Sequence, residues 1–151
     1  MLKLRKNKKG FTLVELIVVI AIMAVLAGTV AGVTVSQLNK QTDKTNENQA
    51  KKVADQIASL VIGNDITVAD DGKFMYGTAE LNATTLNTTF INKEFPGLIQ
   101  AESGIKKGQF YLAVDNNSTP KLIKVVYKPK TTGAADVVYT VDAEGIVAKG
   151  E

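Results

Sequence analysis

The 151 residues carry 18 basic and 15 acidic side chains, are 45% hydrophobic, and include neither cysteine nor histidine. That inventory excludes disulfide staples, thiol nucleophiles, imidazole bases and the common zinc sites. A chain of this length allows one anchor helix and one modest domain, and an enzyme is not expected from it.

Lys3, Arg5, Lys6, Lys8 and Lys9 form a basic cluster free of acids, and Gly10 follows. From Leu16 to Val35 there is then no charged residue, and the only hydroxyls are Thr29 and Thr34. Twenty helical residues at about 1.5 Å each span roughly 30 Å, the thickness of a bilayer's hydrocarbon core. The run is apolar on every side, so it needs lipid or other helices around it. Basic residues ahead of such a run hold the N-terminus in the cytoplasm and send the remainder across the membrane. The run is too long for the apolar region of a secretory signal. On hydropathy alone it suits a plain signal anchor, which leaves Glu15 at the edge of the apolar zone without a role. A carboxylate there costs a few kcal/mol by insertion scales and calls for a partner.

Gly10-Phe11-Thr12-Leu13-Val14-Glu15, set between a short basic leader and an apolar helix, resembles the processing motif of type IV pilins and pseudopilins. The resemblance covers about the first 35 residues. It implies that a membrane prepilin peptidase cuts between Gly10 and Phe11 and methylates the new amine of Phe11. It also implies that Glu15 pairs with the amino-terminal nitrogen of a neighbouring subunit during assembly. A glycine before the cut lets the backbone lie close against a peptidase. An ammonium and a carboxylate buried together are tolerable where either alone is costly. The plainer account of Glu15 is a helix N-terminal acid favoured by the macrodipole, by roughly 0.3–1 kcal/mol.

Cleavage would remove five of the 18 basic side chains and leave 13 against 15 acids, so the precursor's net charge of +3 is no argument for a nucleic-acid surface. Gly28 and Gly32 lie four apart within the run, a spacing suited to close helix packing. Many pilins carry a proline where this chain has Gly32, and the glycines could loosen the same turn. Pilins often close a C-terminal loop with a disulfide, which this chain cannot do.

Residues 39–49 contain no apolar side chain and read as a solvated helix face or a frayed linker. Ala50, Val53, Ala54, Ile57, Leu60 and Val61 then recur at spacings of three and four, the stripe of an amphipathic helix. Gly63-Asn64-Asp65 supplies a C-cap, giving one helix from about Phe11 to Ile62. Residues 66–108 read as irregular, with a turn at Asp70-Asp71-Gly72. A short helix is expected around Leu86, Phe90 and Ile91, ended by Pro96-Gly97. Sequons at Asn82, Asn87 and Asn117 are discounted as chance matches in a chain rich in Asn and Thr. Residues 109–114, 122–128 and 137–141, with a possible fourth strand at 146–148, are short, β-branched and aromatic. Turns at 115–120, 129–136 and 142–145 favour an antiparallel meander.

The expected fold is therefore α+β: a long N-terminal α-helix, half transmembrane and half amphipathic, packed on a C-terminal antiparallel sheet of three or four strands. The divisions are a leader (1–10), a filament-core helix (11–35), an amphipathic helix (36–63) and a head (64–151). Within the head, a variable connection (64–108) precedes the sheet (109–148). Tyr111, Tyr127 and Tyr139 are expected in the core or on the sheet face. The resemblance implies a type IV pilus subunit serving adhesion or twitching motility. A pseudopilin of a type II secretion or competence DNA-uptake machine shares the motif, and an uncleaved signal-anchored surface protein is a third reading. The implied partners are copies of the chain in a helical filament, the prepilin peptidase, the assembly platform and the membrane. No nucleic acid, cofactor or metal is expected, and the chain is placed in the cytoplasmic membrane as precursor and on the cell surface after assembly.

Overall fold

A computed structural model describes residues 10–115 and 121–150. The first nine residues, which hold the five leader bases, lie outside it, as do Asn117 and most of the 115–120 turn. Contacts divide the chain into two units that meet between Leu38 and Asn39.

Helix α1 runs from Leu13 to Ile62. Its portion in the first unit has no buried side chain. Its portion in the second buries Ala50, Val53, Ala54, Ile57, Ala58 and Val61, the expected stripe with Ala58 added and Leu60 left at the margin. The helix ends in a Schellman motif. The Asp65 amide donates to the Leu60 carbonyl (3.0 Å) and the Asn64 amide to that of Val61 (3.1 Å). Asn64, at φ 62°, takes the left-handed position, and Gly63 serves as the cap before it.

Two sheets share one core with this helix. The first is an antiparallel ribbon of β1 (Ile66–Val68), β2 (Phe74–Tyr76) and β3 (Ala79–Glu80). It occupies part of the stretch expected to be irregular. The Asp70-Asp71-Gly72 turn closes its first hairpin, the Asp71 carboxylate accepting from the Lys73 amide at 3.1 Å. Gly77, at φ 60°, begins the two-residue second turn. A π-helical turn, Leu86–Ile91, runs into the short helix α2 (Asn92–Glu94) and ends at Phe95 before Pro96. Phe90 sits edge-on to both Tyr76 and Phe95.

The second sheet has the order β4-β5-β6-β7-β8: Ile99–Ala101, Phe110–Asp115, Leu122–Tyr127, Val137–Val141 and Val147–Lys149. β5 to β8 form the expected antiparallel meander. β4 is an additional edge strand, parallel to β5. Period-two alternation sends Phe110, Leu112, Ile123, Val125, Tyr127, Tyr139 and Val141 to the core. Tyr111, Val126 and Val138 form a cross-strand row on the other face. Tyr127 and Tyr139 are thus core residues and Tyr111 a sheet-face residue, half-buried with Lys128 beside its ring.

The polar stretch 39–49 is helical and holds the sheet where β6 ends. Asp43 Oδ1 accepts from the Tyr127 hydroxyl (2.6 Å) and the Lys130 amide (2.8 Å). Its Oδ2 accepts from the amide (2.9 Å) and hydroxyl (2.5 Å) of Thr131. Asn46 donates to the Tyr127 hydroxyl at 2.9 Å, and Lys149 pairs with Glu47. Burial pushes the Asp43 carboxyl up, but donation from Thr131, Tyr127 and the Lys130 and Thr131 amides outweighs it and holds the group at about 2, against an ordinary 3.8. At the other end of the packed helix, Gly145 (φ 78°) lies so close that a Cβ would stand 2.8 Å from Ile62 Cγ1 and 3.1 Å from the Ala58 carbonyl oxygen.

Asp43→Ala leaves two hydroxyls and two amides without their acceptor, costing about 2–4 kcal/mol. The melting temperature of the detergent-solubilised chain then drops by roughly 10 °C. Because the folded-state value lies below the unfolded one, the stability Asp43 contributes is full above pH 4 and is lost as pH falls toward 2. Melts recorded between pH 2 and 6 lose that component in Asp43→Asn. Gly145→Ala combines a left-handed backbone with a collision against Ile62 and lowers stability by about 1–3 kcal/mol in the same assay.

Candidate processing and assembly site

Gly10 and Phe11 precede the helix and are exposed, Phe11 at 90%. The helix begins two residues later than Phe11 because Thr12 caps it. The Thr12 amide and hydroxyl both donate to Glu15 Oε2 at 2.8 Å, while the Glu15 amide approaches Thr12 Oγ1 at 3.3 Å. This is a capping box, in which two otherwise unsatisfied backbone donors are answered by side chains three residues apart. Within one chain, Glu15 is therefore a capping acid with a specific partner rather than a carboxylate held by the helix dipole alone. Sequence reasoning missed Thr12, although Thr-x-x-Glu ahead of an apolar run is a signature of this arrangement.

Beyond the cap, the large apolar side chains from Leu13 to Leu38 are between 47% and 74% exposed on all sides of the helix. The helix is long and apolar enough to cross a membrane. The two hydroxyls of the uncharged run 16–35 turn inward to the backbone: Thr29 donates to the Leu26 carbonyl (2.9 Å) and Thr34 to that of Val30 (2.8 Å). No side-chain donor in the run is left facing the apolar exterior, which suits a low-dielectric setting. The helix stays continuous through Gly28 and Gly32, and no atom lies within 4 Å of a Cβ built at either. Each offers a shallow notch on an apolar surface.

The arrangement supplies an accessible Gly10–Phe11 peptide bond and an acid one helical turn beyond it. It also supplies a rod with no polar surface of its own. Thr12→Val removes both bonds made by the Thr12 hydroxyl, leaving only the residue-12 amide on Glu15, and frays the first turn at a cost of about 1 kcal/mol. Amide hydrogen exchange at Val14 and Glu15 in detergent speeds up accordingly, and Thr12→Ser retains wild-type protection.

Residues 5–31 match the family model of the prokaryotic N-terminal methylation motif. No curated protein and no solved structure matches the chain. The motif runs into a helix of membrane-spanning length, which suits a membrane-anchored precursor, and it is the class III signal-peptide motif of type IV pilins and pseudopilins.

Proposed function

We propose that the chain is a structural subunit of a type IV pilus, cut after Gly10, methylated on Phe11 and polymerised through its apolar helix. The observation that carries this reading is the methylation motif set directly on a helix whose apolar side chains are exposed all round. In the precursor, lipid covers that surface, with the basic leader on the cytoplasmic side. In the filament, the helices of neighbouring copies replace the lipid.

Glu15 is the assembly residue in this scheme. Cleavage creates an ammonium at Phe11, and the carboxylate now held by Thr12 accepts that charge from an adjoining copy. Two charges that would each be costly in an apolar interior neutralise one another, and their pairing fixes the axial register of the helices. The notches at Gly28 and Gly32 let neighbouring backbones approach. The packed head, with its own core, forms the outer layer.

The exported protein has the mass of residues 11–151 plus one methyl group by intact-mass spectrometry; a mass that includes the leader identifies a plain signal anchor instead. Glu15→Ala is processed and methylated normally yet yields no sheared surface filaments by electron microscopy, and wild-type filament levels from it would remove Glu15 from its assigned role. Filament length in the same images separates a pilus from the short fibre of a pseudopilin.

A further inference from the structure

The head segregates its charge along the axis of its helix. β6 runs antiparallel to α1: Tyr127, at its end, meets Asp43 and Asn46, while the β7–β8 turn at Gly145 meets Ala58 and Ile62. Asp43 and Ile62 are nineteen residues apart, roughly 28 Å. The end near Asp43 carries Lys40, Lys44, Lys106, Lys107, Lys128 and Lys130. The last four are brought together where the Gly108 amide donates to the Lys128 carbonyl and Lys130 lies over Gly108. None of these six forms an ion pair among the described residues. The acids around them are Asp43, whose two oxygens are already taken, together with Asp136 and Glu102. The end beyond Ile62 is the reverse. Asp65, Asp70, Asp71, Glu94, Asp142 and Glu144 gather there against Lys73, Lys93 and Lys121, the last bonded to the Asp71 carbonyl at 2.8 Å. Between the ends, Lys124–Asp115 and Lys149–Glu47 pair internally.

We infer that the basic end of one head docks on the acidic end of another copy, head to tail. The inference rests on the filament reading and adds to it a contact outside the apolar helix. Two unlike patches at opposite ends of one body cannot satisfy each other within a single chain. They suit a heterologous contact, the kind that propagates as a filament when its rotation does not close. Any one exposed pair contributes little. Several across one contact, repeated at every subunit, select a register and penalise like-to-like approach.

The test is a charge exchange in the full-length chain. Lys106→Glu with Lys107→Glu reverses the basic end; Asp70→Lys with Glu144→Lys reverses the acidic end. All four side chains project from exposed positions, and none makes a side-chain hydrogen bond or ion pair among the described residues. Thermal melts identify any variant that fails to fold. Either reversal alone lowers the yield of sheared filaments about tenfold, and the fourfold variant restores it to within about threefold of wild type. Single reversals that assemble like wild type overturn the contact, while the filaments themselves keep the pilus reading intact. Loss from the lysine reversal that the reversed acidic end fails to restore assigns the lysines to another anionic partner and also overturns it. Absence of wild-type filaments overturns both readings.

Discussion

An uncharged helical surface exposed on every side has no stable place in water, and the rest of the molecule answers that constraint. Burial of apolar area contributes about 25 cal/mol per Å², so a rod of this kind is driven into whatever low-dielectric surroundings are at hand. Within the uncharged run Thr29 and Thr34 bond to their own backbone, and the first turn is closed by Thr12 and Glu15. The acid in that first turn is thus already held inside the chain. In the filament we propose, a neighbour's amine would compete with Thr12 for that carboxylate, coupling helix capping to assembly.

The head solves a different problem. It must hold a sheet on a helix without drawing on the apolar rod for its core. The stripe from Ala50 to Val61 does most of this by packing small and branched side chains against both sheets. Where the stripe ends and the helix turns polar, packing can no longer hold the β6–β7 connection. Asp43 takes over there, gathering four donors from Tyr127, Lys130 and Thr131. Hydrophobic packing and charge-assisted hydrogen bonding thus succeed one another along a single helix face.

Much of this was legible in the residues. The meander strands appear within a residue or two of where alternation and turn chemistry place them, since β-branched runs between Asn, Asp, Gly and Pro clusters admit few other readings. The helix stripe and the Asp-Asp-Gly turn were equally plain. Strands β1 to β4 were not, because two or three residues are too short to display a period. Their pairing is decided by tertiary contacts such as that of Ile66 and Phe74 with the core. Asp43 was invisible for another reason. Its partners lie more than eighty residues away, and nothing local distinguishes it from a solvated acid. Thr12 was legible too, since Thr-x-x-Glu ahead of an apolar run is the pattern of a capping box. The charge segregation likewise emerges only when β6 is laid antiparallel to the helix.

The Asp43 pin has a consequence for how such a head matures. A chain without cysteine fastens its long β6–β7 connection with groups that are complete when the ribosome releases them. No oxidant, isomerase or compartment of particular redox poise is needed to lock the fold, and reducing agents cannot undo it. The fastening holds until strong acid, where the carboxylate takes up its proton and releases the connection it holds.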